Sequence, residues 1–202
     1  MWAFAVMTPR DGVPDSLYPH KYNEPQTPSR GVIDSMELMH NSIYQSWNRK
    51  VTNGDTVYIL GDVSMRGKSE KLIAYVATLK GKKVLIKGNH DDLSDYRYQQ
   101  LFDEICDYKE ITDSVDGKTY DLVLCHYPIL SWNKMNRGSI LLYGHTHNSP
   151  EDDFFQECLQ EMCEKDERHI YKEGLRAINV GCMKPWMGYE PRALGELLES
   201  YK

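Results

Sequence analysis

The chain has few of the features that mark a nucleic-acid-binding or membrane-embedded protein. Its 202 residues hold 24 lysines and arginines against 30 aspartates and glutamates, which gives a net charge of -6. Because binding to a phosphate backbone requires an excess of cations, this balance argues against non-specific nucleic-acid binding. The sequence also lacks an apolar run near the ~18 residues that cross a bilayer, so we expect no membrane association.

Cysteine is also scarce, and its spacing excludes two kinds of site. The five cysteines are an odd number and form no Cys-x-x-Cys pair, so neither a disulfide scaffold nor a cysteine zinc ribbon is predicted. Reduced thiols are typical of the cytoplasm, where we expect the protein to reside. The apolar residues 1–7 lack the basic segment and cleavage site of an export signal and are predicted to form a first strand.

The length predicts one domain over residues 1–202. Five of the nine prolines fall in residues 8–30, which favours a long irregular loop. Apolar spacing after Asp34 or Ser35 predicts a helix that ends near Lys50. Further helices are predicted over residues 69–79 and 93–101, together with an acidic helical insertion over residues 151–173.

Short segments, most of them with an apolar run stopped by glycine, are predicted to be strands. They cover residues 56–60, 83–87, 105–111, 120–125, 139–143 and 176–180. Asp116 and Gly117 favour a hairpin between the third and fourth of these runs. Since helices and strands alternate in the first half and strands cluster later, the fold class is α/β, a layered sandwich with a mixed sheet.

Residues able to bind a metal directly follow several of the predicted strands. The strand-end residues are Asp62, Asn89, His90, His126, His145 and His147. The carboxyl ends of strands in an open α/β sheet converge on one crevice, so these side chains can meet although they are distant in sequence. Any one of the histidines alone is better explained as a structural residue, but the whole set favours a metal site.

The donor set indicates which ions and which chemistry to expect. Nitrogen and oxygen donors without thiolate favour Mn, Fe, Zn or Co, with one or two ions per chain. The alternate spacing projects His145 and His147 to the same side if the chain is extended there, and a carboxylate such as Asp62 can bridge two cations. Two such ions hold a hydroxide that attacks a phosphoryl group. His90 is then placed to protonate the departing oxygen, with Asp91 either orienting it or capping the next helix.

The ordered motifs resemble those of the calcineurin-like metallophosphoesterases. The resemblance rests on Gly61-Asp62, on residues 88–91 (Gly-Asn-His-Asp), on His126 in Cys-His-Tyr-Pro and on residues 144–147 (Gly-His-Thr-His). It covers roughly residues 32–200 and extends to Trp47-Asn48, residues 55–58, residues 131–133 and residues 179–181, which look like a small bacterial and phage branch of the family.

The resemblance implies a four-layer αββα sandwich with a dinuclear site that hydrolyses phosphate esters. By the family pattern Asp62 bridges the two ions, and Asn89, His126 and His145 complete one metal site. His147 belongs to the other site, and His90 is the catalytic histidine. The expected substrate is a small phosphate ester, either a monoester or a diester.

The first block of the family, an Asp-x-His after the first strand, is missing. Thr8 and Arg10 stand where those ligands belong, and Asp11, Asp15 or His20 offer replacements. The sequence therefore leaves open a catalytically impaired relative that acts as a ligand-binding or interaction module, and a structural protein whose histidines only satisfy hydrogen bonds. In the loop before residue 139, Trp132 and Arg137 either contact substrate, or Trp132 packs the loop onto the core.

Overall fold

A computed structural model describes residues 2–5, 43–63 and 70–201. The predicted irregular loop over residues 8–30, the helix start at Asp34 or Ser35, and the positions discussed around the missing first block lie outside these residues. Within the described ranges, no helix combines the length and the apolar character needed to cross a membrane.

Four parallel strands form the first sheet. They are β1 (Trp2–Ala5), β2 (Thr56–Ile59), β3 (Lys82–Ile86) and β4 (Glu104–Cys106), hydrogen-bonded in that order. Parallel strands need covered faces, because their connections place helices against the sheet. The buried residues of β2 and β3 fit this requirement, since apolar side chains occupy both faces of each strand.

The second sheet is mixed. Its strands are β5 (Tyr108–Val115), β6 (Lys118–Cys125), β7 (Ile140–Tyr143) and β8 (Arg176–Asn179), also in sequential order. Strands β5 and β6 form the predicted antiparallel hairpin, whereas the other neighbours run parallel. The hairpin turn holds Asp116 at a φ of 51° and Gly117 at 79°, which matches the left-handed pair that such two-residue turns need.

The helices lie mostly where the sequence predicts them. Residues 43–50 are helical and are named α1, followed by α2 (Glu70–Ala77), α3 (Tyr96–Gln99), α4 (Pro150–Glu164) and α5 (Leu194–Ser200). The prediction of a helix over residues 93–101 is too long. The Asp95 side chain accepts the backbone N–H of Arg97 and caps α3, so the helix begins only after Asp95.

The single strand predicted over residues 105–111 is wrong, because the chain changes sheet within it. Residues up to Cys106 pair with β3 in the first sheet, and residues from Tyr108 pair with β6 in the second. Ile105 packs against the core on the helical side of the first sheet, and Ile111 packs between the sheets. One short segment therefore contributes apolar side chains to two different cores.

Three cores stack between four layers, which confirms the αββα architecture. The first outer core joins α1 and α2 to the first sheet, the central core lies between the two sheets, and the second outer core joins α4 to the second sheet. Typical members are Trp47, Ile59 and Val76 in the first, Leu60, Ile86, Leu124 and Leu142 in the second, and Tyr143, Phe155 and Leu159 in the third.

Truncation of the central core tests this architecture. Leu142 is fully buried between the sheets, whereas Leu130 is 52% exposed. We expect Leu142→Ala to lower the free energy of unfolding by about 2–5 kcal/mol, because it leaves a cavity in packed surroundings. The control Leu130→Ala changes it by less than about 0.5 kcal/mol. Urea unfolding measures both, and equal effects of the two substitutions would contradict the assignment of Leu142 to the core.

Candidate metal centre

The ends of strands from both sheets meet at one edge of the sandwich. Asp62 follows β2, Asn89 follows β3, His126 follows β6 and His145 follows β7. Asp62, His126 and His145 each offer one ligand atom, and these atoms lie within 4.8 Å of one another. Side chains separated by many residues in the sequence therefore form one cluster, as the strand-end pattern predicts.

The His126 imidazole lies at the centre of the cluster. Its Nε2 is 3.2 Å from Asn89 Oδ1, 3.2 Å from His145 Nδ1 and 3.4 Å from Asp62 Oδ2. His126 and Asp62 are buried, whereas His145 is partly exposed and Asn89 is exposed. The cluster is therefore buried at Asp62 and His126 and reaches solvent at His145 and Asn89.

The second nitrogen of His126 fixes which atom is available to a ligand. Nδ1 lies 2.7 Å from the backbone carbonyl oxygen of Leu60. A carbonyl only accepts, so Nδ1 carries the proton and the Nε2 lone pair faces the carboxylate, the amide oxygen and the second imidazole. A cation satisfies such a group of converging acceptors. The residues present fit a divalent metal ion.

The local environment shifts the pKa values of the three cluster residues in different directions. Burial by itself raises the pKa of the Asp62 carboxyl, but the neighbouring His126 imidazole and the backbone N–H of His90 bring it below its ordinary value. Burial and the nearby His126 both lower the pKa of His145. For His126, burial favours the neutral ring, but Asp62 and the Leu60 carbonyl outweigh it and raise the pKa. The pocket therefore favours a positive charge next to Asp62.

Asp91 joins two ligand-bearing turns, a role that its position in the sequence does not predict. Its carboxylate accepts the backbone N–H groups of Asp62 at 2.9 Å, Val63 at 3.0 Å and Gly88 at 2.9 Å. The expected N-cap role is wrong, because Asp95 caps α3. The bonds of Asp91 tie the segment after β2 to the segment after β3, and so hold two ligand-bearing turns together.

Close approach of these two turns leaves no room for side chains at Gly61 and Gly88. A Cβ on Gly61 would lie 2.6 Å from the Gly88 nitrogen, and a Cβ on Gly88 would lie 2.7 Å from the Asp62 nitrogen. Gly61 also has a φ of 81°, a conformation that other residues rarely adopt. Glycine at both positions allows Asp62 and His126 to come into contact.

His90 and His147 are not among the three residues of the close cluster. The backbone N–H of His90 donates to Asp62 Oδ1 at 2.9 Å, and the His90 ring is partly exposed. The carbonyl of His147 accepts a bond from Asn179 Nδ2 at 3.3 Å. Asp62, His145 and His147 all adopt left-handed backbone, at φ values of 52°, 67° and 49°. Such conformations cost free energy and concentrate at functional sites.

Two aromatic residues near the site differ in their exposure. The Tyr127 ring is 41% exposed, with its centroid 4.8 Å from that of His126 and 4.7 Å from that of His145. Tyr127 is not among the residues predicted from the sequence, although its position directly after a candidate ligand is a usable signal. Trp132 is buried and its Nε1 donates to the carbonyl of Ser139. Trp132 therefore packs the loop onto the core and is not placed for stacking on a substrate.

Comparison with known proteins supports the interpretation of this cluster. A family model described as calcineurin-like phosphoesterase matches residues 31–172. The Gene 66 protein of Mycobacterium phage L5 is 26% identical over 143 residues, which make up 59% of this chain and 69% of that protein. An uncharacterized protein of Methanocaldococcus jannaschii is 27% identical over 123 residues, 60% of this chain and 61% of that protein. The matches thus span about two thirds of these relatives.

One solved structure shares the fold over nearly the whole chain. The crystal structure of a protein of unknown function from Aquifex aeolicus aligns with a TM-score of 0.56 and 21% identity. The alignment covers 98% of this chain and 99% of that one. At this identity the likeness shows the fold alone.

Substitution of Gly88 tests the close approach of the two turns. In Gly88→Ala the new methyl group overlaps the Asp62 nitrogen and lies 2.8 Å from His126 Cε1, so Asp62 and His126 must move apart. We expect Mn²⁺ binding to weaken at least about tenfold, the scale seen when groups around a metal are disturbed. The control is Gly54→Ala, where the nearest atom lies at 3.8 Å. Calorimetric titration of both variants measures the effect, and unchanged affinity in Gly88→Ala would contradict the geometry.

Proposed function

Since this chain belongs to the calcineurin-like phosphoesterase family, whose model matches more than half of it, we propose that it is a metal-dependent hydrolase of phosphate monoesters or diesters. The observation that carries the proposal is the cluster of Asp62, His126 and His145 at the meeting point of the two sheets. Family membership supports the phosphoesterase chemistry, and the cluster supports its dependence on a metal.

The family pattern assigns the metal ligands, and three of them form the close cluster. By that pattern Asn89, His126 and His145 would hold one ion together with Asp62, and Asp62 would be shared with a second ion held by His147. When bound, the ions lower the pKa of water and neutralise the charge that grows on the phosphoryl group. Because the donors are nitrogen and oxygen atoms, the ion is Mn, Fe, Zn or Co, and Mn is the first to test.

His90 acts as the catalytic histidine in this proposal. Its backbone bond to Asp62 Oδ1 supports an imidazole position beside the metal cluster and towards solvent. A partly exposed imidazole there can donate a proton to the oxygen that leaves the phosphorus atom. Tyr127 adds an exposed aromatic wall next to His126 and His145, and this wall contacts the organic part of the substrate.

A second candidate function follows from the missing first block. The close cluster supplies ligands mainly for one ion, and Thr8 and Arg10 occupy the positions where the family has an Asp-x-His. A chain that holds one ion without turnover would act as a ligand-binding or interaction module. The number of ions per chain and the turnover number separate this candidate from the enzyme.

Metal removal and return test the enzyme. Protein purified without chelator is expected to contain Mn or a related ion and to hydrolyse p-nitrophenyl phosphate or bis(p-nitrophenyl) phosphate. A chelator abolishes the activity, and added Mn²⁺ restores it, because the reaction depends on the ion. Bound ion without turnover on either substrate supports the binding module. Absence of both bound ion and turnover with every ion tried contradicts the proposal.

Two histidine substitutions separate metal binding from proton transfer. His126→Gln is expected to lose both the ion and the activity, since Nε2 is the centre of the cluster. His90→Gln is expected to keep the ion but to lower kcat about 10²- to 10⁴-fold, the usual contribution of a general acid. The exposed His169 provides the control His169→Gln, which changes neither. Loss of the ion in His90→Gln would assign that residue to metal binding instead.

A further inference from the structure

We propose that the buried Asp152 carboxylate, with its partner Lys184, is a positioning group for the two histidines of residues 145–147. The inference rests on the proposed function, because it assigns a role toward the metal site. Asp152 lies in the first turn of α4, outside the cluster of ligands. It acts through the segment that carries the ligands and does not contact the ion.

Four donors converge on this one carboxylate. Oδ1 accepts the Tyr143 hydroxyl at 2.7 Å, the Thr146 hydroxyl at 2.7 Å and the Asn179 amide at 2.9 Å. Oδ2 forms an ion pair with Lys184 Nζ at 2.6 Å. Asp152, Thr146, Asn179 and Lys184 are all less than a tenth exposed. Such charge-assisted bonds in a buried setting fix the groups that make them.

The residues that donate to Asp152 lie before, within and against the segment that carries His145 and His147. Tyr143 is the last residue of β7, directly before Gly144 and His145. Thr146 lies between the two histidines, with its side chain turned into the protein, and Asn179 Nδ2 also donates to the His147 carbonyl at 3.3 Å. The network therefore holds this segment before, between and after its imidazoles.

The backbone of this segment needs such support. His145 and His147 both have positive φ values, a region that costs free energy for residues with a Cβ. Thr146 lies between them, and its hydroxyl bond to Asp152 fixes the intervening peptide groups. Without that bond the segment can relax towards ordinary backbone, which would turn the imidazoles away from His126 and Asp62.

A gain in folding stability does not by itself explain the buried ion pair of Asp152 and Lys184. Burial of an ion pair costs desolvation, and apolar replacements are often as stable. Burial raises the pKa of Asp152, but the bonds from Lys184, Tyr143, Asn179 and Thr146 outweigh burial and lower it. The carboxylate therefore stays ionised and able to accept all four bonds at the pH at which the enzyme works.

The test compares Asp152→Ala with a matched control on the same helix. Leu159 lies in α4, is 3% exposed and packs in the second outer core without a part in the network. Both Asp152→Ala and Leu159→Ala are expected to lower the Tm of the metal-free protein. Only Asp152→Ala is expected to weaken Mn²⁺ binding, by about 10- to 100-fold, the range for groups that orient metal ligands. Competition with a fluorescent chelator measures the affinity.

A second readout does not depend on the metal. The histidine ring signals in NMR spectra of the metal-free protein are expected to shift for His145 and His147 in Asp152→Ala and to remain in place in Leu159→Ala. If Asp152→Ala does not fold, Thr146→Val removes the central hydroxyl at nearly constant volume and is expected to weaken Mn²⁺ binding about tenfold.

The outcomes separate this inference from the proposed function. Wild-type affinity in Asp152→Ala, or in Thr146→Val where Asp152→Ala does not fold, overturns the positioning role, as does an equal loss in Leu159→Ala. Wild-type protein that binds Mn²⁺ but hydrolyses no phosphate ester contradicts the proposed enzyme and leaves the positioning role standing if Asp152→Ala binds weakly. Wild-type protein that binds no Mn²⁺ overturns both.

Discussion

The bond between His126 Nδ1 and the Leu60 carbonyl is the contact on which the site depends. Leu60 follows a strand of the first sheet and His126 follows a strand of the second, so the bond joins the sheets where their carboxyl ends meet. It also directs Nε2 towards Asp62, Asn89 and His145. One buried contact thus sets both the spacing of the layers at this edge and the identity of the metal-binding atom.

The rest of the architecture brings the two strand ends within reach of that bond. The central core keeps the sheets face to face, and the outer cores hold helices against their far sides. At the edge itself, Gly61 and Gly88 leave room for the two turns to approach, and the Asp91 carboxylate accepts backbone N–H groups from both turns. Apolar packing brings the two turns close together. The hydrogen bonds of 2.9 to 3.0 Å from their backbone N–H groups to Asp91 then fix their relative positions.

The sequence predicted the parts that depend on local pattern. Apolar runs ending in glycine located β2, β3 and β7, and the polar residues after these strands and after β6 predicted the cluster of Asp62, His126 and His145. The assignment of individual roles to Asn89, His90 and His147 stays a prediction. Periodicity could not reveal that the segment over residues 105–111 crosses between sheets, because both halves are strands and differ in the sheet that they join.

Contacts made across the fold were beyond the reach of the sequence. In the sequence, Asp91 and Asp152 resemble ordinary acidic residues near the start of a helix. In the fold, the Asp91 carboxylate accepts backbone N–H groups, and the Asp152 carboxylate accepts hydrogen bonds from buried side chains. Neither role has a local signature, since the partners of Asp152 come from β7, the following turn, β8 and the segment near residue 184. Both roles arise only when the layers of the fold pack together.

The left-handed backbone at Asp62 limits which amino acids can replace this residue in a selection for altered metal preference. Asparagine and glycine accept a φ near 52°, whereas valine, isoleucine and threonine strain it. A library at residue 62 would therefore yield folded members of a few residue types, set by the peptide conformation before ligand chemistry is considered. The backbone conformation thus restricts which substitutions can be obtained at this position.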